Sequence, residues 1–526
     1  MFLKHLIAES FEIKMTKSEA GRGGFFYPQI YKQSKDYVTK RFKEGEIDHA
    51  DFSFWGFADK FFAYLLQCNF FKFVDQTYPS PRKKTEVPIW FLVSCQISMR
   101  MALKSSYSSL PSLLLNAGPI LLRMGFNVSR DKLGFNNKNK KKRQTYIDHS
   151  TVLKFFKHTG YQEIRQWYNQ DVQEWFSSQQ YTDSKGVYIL DQTHCVVPDN
   201  KKYEDAVKMP VDEHGQLYKN LKDLTPEQRK AIKYHPCYAL SLLMNLSTSN
   251  NSFHIAGYDW GSGNTDELPQ AKKIIENFFK VYPRKKMKLL IVDRGYLDGS
   301  FITELKKDYG VDVLIPLKKS MSQYEDAIAL SKLDDVEWEE FFDYDNDNVQ
   351  IVARYKSCMI KKISLWDKCQ VPLNTIVVIK EKLNENGEVY KSKQWILATT
   401  KKYKKSSLAV LDYKLRFLIE ERNRQLKNFW NIAKFPSPQK SLIEAQISFV
   451  LLAYSQLQSY MHNKKLEKYA HKTISKLKEE ESLGLNNVVA YVDGRYAIYD
   501  MKEAFNIINN LKTEEARQRL QKWINS

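Results

Sequence analysis

Between residues 186 and 316 short apolar runs alternate with helical stretches, and this alternation constrains the fold more than any other feature of the chain. Gly186-Val-Tyr-Ile-Leu190 is an apolar run that ends on Asp191. Cys237–Met244 and Ser252–Ala256 read as two more strands. Leu268, Ile274, Ile275, Phe278 and Phe279 recur at helical spacing and predict a helix from Asp266 to Val281. Lys288-Leu-Leu-Ile-Val292 is a buried-strand pattern that ends on Asp293. A helix from Phe301 to Tyr309 and a strand from Val311 to Pro316 follow. Three strands, helix, strand, helix, strand is the opening of an α/β sheet. Its carboxylates stand at C-terminal strand ends, where loops and active sites gather.

The rest of the chain divides around this core, whose first part spans 181–320. From 321 to 402 the alternation gives way to strand-like pieces within 349–355, 359–366, 374–379 and 395–399. Asn386-Gly387 supplies a hairpin turn there, so a β-rich insertion is expected. Residues 403–464 return to helix, with an apolar stretch from Ser441 to Leu457. Residues 1–180 read as a helical, aromatic N-terminal region. Pro88 opens one apolar helix, and Ser150–Gly160 followed by Gln162–Phe176 suits a helix-turn-helix DNA reader. The basic run Asn136–Arg143 is a polar loop. Residues 465–526 form a small C-terminal region with a hairpin at Asp493-Gly494. Its last helix carries Ile507, Ile508 and Leu511, a candidate dimer contact.

The chemistry concentrates in Tyr413-x2-Arg416-x3-Glu420-x6-Lys427. On one helix, these offsets place all four residues on a single face. Such a face is ordinarily a solvated ion-pair surface. Here, however, an acid, two cations and a phenol join two aspartates that follow separate apolar strands. A carboxylate can hold a divalent metal, and Arg, Lys and Tyr can grip phosphate oxygens. Phosphodiester cleavage is commonly run by two metals about 4 Å apart, held by converging carboxylates. Asp191, Asp293 and Glu420 are therefore the candidate catalytic residues and metal ligands. Two Mg²⁺ (or Mn²⁺) ions are the expected cofactors, because hard oxygen ligands suit them. Glu421 points about 100° away from Glu420 on a helix.

Composition agrees with a nucleic-acid partner. The chain has 526 residues and a net charge of +20, which favours a polyanion such as double-stranded DNA. It is 43% hydrophobic and 13% aromatic, so it is globular. No run of about 18 apolar residues exists, so no membrane span is expected, and the N-terminal apolar stretch is short for a signal peptide. The six scattered cysteines lack a Cys-x2-Cys pair and read as reduced thiols. Asp343–Asp347 is an acidic loop that lacks the glycine and terminal glutamate of a calcium loop. His194, His235 and His254 read as structural, and Trp338 and Trp366 as packing residues of the insertion.

The helix signature, the Asp191-Gln-Thr193 and Asp293-Arg294 pairs, and Trp395-Ile-Leu-Ala-Thr-Thr together resemble the IS4-like family of DDE transposases. The resemblance covers roughly 185–460. It implies a ribonuclease H-like catalytic core interrupted by the β insertion. It also implies that Tyr413, Arg416, Lys427 and Arg294 contact DNA and that Trp395 stacks on a displaced base. A homodimer holding two transposon ends, a hairpin intermediate, and a cytoplasmic, nucleoid-associated prokaryotic setting follow from the same resemblance. The Gly-Tyr after Arg294 differs from the Glu-Ala of relatives, and the residues after Glu420 lack their Phe-His. A domesticated nuclease of the same fold and an inactive DNA-binding protein are the rival readings.

Overall fold

The computed structural model describes residues 32–518 except 54–56, 83–86, 112, 114–147, 180–184, 213–215, 219–220, 222–223, 231, 248–251, 345–349, 364–365, 367, 466–473, 483–486 and 512. The basic run Asn136–Arg143 lies outside the described residues.

Ten strands form the main sheet: β3 (Val187–Val196), β4 (Val207–Val211), β5 (Lys233–Ser247), β6 (Ser252–Ser262), β7 (Leu289–Val292), β8 (Asp312–Pro316), β9 (Trp338–Tyr344), β10 (Ile351–Ile363), β11 (Leu373–Leu383) and β12 (Val389–Thr399). The order is β4-β5-β3-β7-β8-β12-β11-β10-β9, with β6 also paired to β5. β3, β7 and β8 run parallel; the other pairs are antiparallel. The expected insertion is thus a continuation of the same sheet, joined where β12 pairs β8. Two expected strands, 349–355 and 359–366, fall on one long β10 as far as they are described. The first part of the presumed acidic loop is strand: Asp343 lies in β9, bonded to Lys414, while 345–349 lie outside the described residues.

Side-chain parity splits the core between the two faces of the sheet. Ile189, Ile291, Leu314, Ile376 and Leu397 pack on the first face. Helices Ser406–Lys414, Phe417–Asn428 and Lys440–Asn463 cover that face. Tyr188, Leu190, Leu290, Val292, Val313 and Ile315 pack on the second, under helices Glu267–Val281, Gly299–Lys307 and Ser322–Leu330.

The N-terminal helices belong to the first-face core. Phe61, Phe71, Phe91, Phe156, Trp167 and Trp175 are buried in it beside Phe449 and Tyr460. Arg165 locks this arrangement: its Nη2 donates to Glu444 Oε2 at 2.6 Å and its Nη1 pairs with Asp259 of β6. The helical hairpin at 149–178 therefore packs inward. The exposed positions of its second limb are Gln162, Glu163, Gln166, Glu174 and Ser178, none of them a cation. The first limb exposes Lys154 and Lys157, so the cations that a helix-turn-helix reader would set against phosphates stand on that limb alone.

The two ends of the described chain meet. β1 (Lys32–Gln33), β2 (His49–Ser53), β13 (Asn487–Val492) and β14 (Arg495–Asp500) form a second sheet, ordered β1-β14-β13-β2. The predicted turn is present, with φ of +49° at Asp493 and +69° at Gly494. Residues 32–53 were expected in a helical region but supply two strands. Ile507 and Leu511 are buried in the core of this unit and Ile508 packs against it. Their apolar period serves that core, which removes the basis for reading them as a dimer contact.

Candidate active site

Parity and strand ends assemble the site. Asp191 shares the facing of Ile189, and Asp293 that of Ile291, so both carboxylates belong to the first face. Pairing of β3 with β7 stops at Leu190↔Val292, one residue before each aspartate. β3 itself continues to Val196, paired with β5, so Asp191 lies within its strand and not at the strand end as expected. The two strands part at that point, and the helix Phe417–Asn428 packs across the opening. Asp293 also caps the short turn after it, its Oδ1 accepting the Arg294 N–H at 2.7 Å.

The signature does not lie on one helix. The first helix ends at Lys414 and the second begins at Phe417. Between them the backbone tightens, with the Arg416 N–H donating to Tyr413 O at 3.0 Å and Leu418 N–H to Leu415 O at 2.9 Å. Arg416 becomes the residue that caps the second helix. From there, Arg416, Glu420, Asn423 and Lys427 follow at offsets of 4, 7 and 11, one helix face turned toward β3.

Arg416 is the centre of the cluster. Its Nη2 donates to Asp293 Oδ2 at 3.0 Å and lies 3.7 Å from Asp191 Oδ1; its Nη1 donates to Glu420 Oε1 at 2.6 Å. One guanidinium thus touches all three predicted carboxylates. Burial works against its charge, but Asp293, Asp191, Tyr413 and Glu420 together outweigh that and raise its pKa. Asp191 is the most perturbed acid: burial pushes it to about 7, Arg416 opposes this, and Asp293, Glu420 and Glu267 add to it. A carboxylate held at the edge of ionisation by burial and by three neighbouring acids is a group poised for a further cation.

Two residues here were not anticipated. Asn423 Nδ2 donates to Asp191 Oδ2 at 3.0 Å, fixing that carboxylate. The helical offset of 3 from Glu420 is the signal that would have found it. Glu267, in the first turn of its helix, has a pKa raised by burial and then by Asp293. Its carboxylate lies against Gly295, where an added Cβ would stand 1.8 Å from Oε2. Nothing in the local sequence sets Glu267 apart from an ordinary first-turn acid.

The remaining predicted residues surround this centre. Tyr413 is half-buried, its phenol pushed to about 12 by burial, with Arg416, Asp293 and Arg294 close enough to act on it. Arg294 is exposed. Lys427 lies farther along β3, near enough to His194 and Cys195 to act on both. His194 Nε2 bonds the Gly263 carbonyl at 3.1 Å, the local role expected of it. Glu421 points away and is held by Arg424 at 2.7 and 2.8 Å. Trp395 shares the first face, two residues beyond the Leu397↔Pro316 pair, toward the sheet end that carries the aspartates. Its buried indole N–H meets no acceptor.

Among the described residues no three His, Cys, Asp or Glu side chains form a ready coordination shell, since Arg416 holds the central place. The donor set nevertheless fits hard divalent cations. Three carboxylates from three elements converge on one positive group, and Mg²⁺ takes such oxygen ligands. Among the described residues no helix is long and apolar enough to cross a membrane.

Comparison with curated proteins finds no match. Residues 182–456 match the family described as transposase DDE domain, a span that contains every residue of this site. Members of that family are in general metal-dependent DNA-cleaving enzymes. Because the match runs over more than half of the 526 residues, the chain belongs to the DDE-domain transposases.

Proposed function

We propose that this transposase cuts DNA at transposon ends and joins them to target DNA, with Asp191, Asp293 and Glu420 holding two Mg²⁺ or Mn²⁺ ions. The observation that carries the reading is the single guanidinium of Arg416 in contact with all three carboxylates. When bound, the ions supply Lewis acidity toward the attacking and leaving oxygens of a phosphodiester. The chain's own groups do the rest. Asn423 orients Asp191. Arg416, displaced from the carboxylates, has a fork of donors matched to a phosphate. Tyr413, Arg294 and Lys427 surround it as further phosphate contacts.

The strand arrangement supports a ribonuclease H-like core. β3, β5 and β6 are consecutive antiparallel neighbours, and β7 and β8 add parallel on the other side of β3. The IS4-like assignment rests on the signature residues and on Trp395. In this reading a freed 3′-hydroxyl attacks the opposite strand to form a hairpin, and Trp395 stacks on the displaced base. One catalytic centre acts on each end, so the working assembly is a homodimer.

The test is cleavage of a duplex bearing the DNA that flanks the gene. Asp191→Ala, Asp293→Ala and Glu420→Ala should each abolish nicking and strand transfer while DNA binding persists, because phosphate contacts supply most of the affinity. Near wild-type cleavage by Asp293→Ala would refute the assignment. Trp395→Ala should slow hairpin formation more than first-strand nicking, and an abasic site at the flipped position should partly restore it.

A further inference from the structure

The β10–β11–β12 part of the sheet carries its charges unevenly. On the second face Arg354 Nε is neutralised by Glu381 across the strand pair at 2.7 Å, with Glu340 at 3.5 Å. On the first face two successive cross-strand pairs are both lysine: Lys380↔Lys393 and Lys382↔Lys391. Like charges directly opposite one another destabilise a strand pair. Lys382, Lys391 and Lys393 are exposed. Burial, and after it Lys414, Lys382 and Lys393, lower the pKa of Lys380, while Asp343 opposes them. Asp343, the carboxylate that acts on Lys380, is engaged by Lys414. Four cations therefore repel one another over a face where the sheet could have alternated signs, as its other face does.

The position of the ladder is as informative as its charge. Lys391 and Lys393 share a strand face with Trp395, whose ring lies 5.8 Å from Lys393 Nζ. Two-residue steps rise about 7 Å along a strand, so the ladder extends roughly 14 Å outward from Trp395. It leads away from the end of the sheet where Asp191, Asp293 and Glu420 meet, on the face that bears the signature helices.

We propose that the Lys380/Lys393 and Lys382/Lys391 ladder binds the phosphate backbone of the DNA that runs from the cleavage centre past Trp395. The proposal rests on the DNA-cleaving function above and adds a contact track on the insertion. The bound polyanion relieves the repulsion between the paired lysines, and this is what their placement serves.

The experiment measures binding to a 40-base-pair random duplex from 50 to 300 mM salt. Each lost phosphate contact makes the log K against log salt slope shallower by about 0.9. The triple variant Lys382→Ala, Lys391→Ala, Lys393→Ala should lose about 3 from the slope while melting no lower than wild type. The same three positions changed to Arg should keep the wild-type slope. A control removes three exposed lysines on the other side of the sheet, Lys272→Ala, Lys280→Ala and Lys285→Ala, and should leave the slope unchanged. An unchanged slope in the ladder variant, or an equal fall in the control, would overturn the track. Wild-type protein that bound the duplex without salt dependence would overturn the DNA reading itself.

Discussion

Asp191→Asn should stabilise the metal-free protein, by an amount that grows as pH rises from about 4 to about 7. Burial and neighbouring acids hold the Asp191 carboxyl at about 7 against an ordinary value of 3.8. Between those values the folded state keeps a proton that the unfolded chain has released. The unfolded state then binds fewer protons, so stability falls with rising pH. The slope is about 1.4 kcal/mol per pH unit, and the loss is complete above about pH 7. Roughly three units set a ceiling near 4 kcal/mol on what the neutral asparagine recovers at pH 8. For a chain of 526 residues with an unfolding entropy of about 2.1 cal/mol/K per residue, this is at most 3–4 °C in Tm. The assay is thermal unfolding in chelator at pH 4, 6 and 8. The variant should match wild type at pH 4 and lead it increasingly at pH 6 and 8. Added Mg²⁺ should raise the Tm of wild type and much less that of the variant. A pH-independent difference, or a less stable variant at pH 8, would refute the reasoning.

Asn423→Ala removes the donor 3.0 Å from Asp191 and should lower cleavage about 10–100-fold, whereas Glu421→Ala, on the opposite side and tied to Arg424, should change it less than about twofold. Glu444→Leu removes the fully buried carboxylate from the Arg165 network, leaving Arg165 only Asp259, and should cost about 3–5 kcal/mol in denaturant unfolding; a loss below about 1 kcal/mol would argue against a structural ion network. Gly186 has φ +69° and an added Cβ would stand 2.7 Å from the Lys286 carbonyl oxygen. Gly186→Ala should therefore destabilise by about 1–3 kcal/mol, read as a drop in Tm.

Much of the site was legible because its signals are local. A strand's apolar run followed by Asp191 or Asp293, and the spacing of Arg416, Glu420 and Lys427, need only neighbouring residues to be read. The break at Leu415–Arg416 was not legible, because the residues around it are compatible with continuous helix. Asn423 and Glu267 became distinct only where their elements cross β3 and the Asp293 turn. The hairpin at 149–178 shows the converse. Its helices were correctly expected, but their amphipathic pattern does not say whether the apolar side meets this protein's own core or frees the other side for DNA.

By itself, the sequence determined the strand–helix alternation from Val187 to Pro316, the hairpin turns at Asn386-Gly387 and Asp493-Gly494, and the identity of the three converging carboxylates. Each depends on side-chain period, turn conformation or chemistry within a few residues. Tertiary structure alone decided that β12 joins β8 and makes the insertion part of the main sheet. It alone brought Lys32 beside Arg495 and placed Arg416 between Asp191, Asp293 and Glu420. Those outcomes depend on which edges and faces remain to be covered once the local elements exist. Pairing across more than 400 residues leaves no periodic trace in the chain, because backbone hydrogen bonds do not depend on side-chain identity.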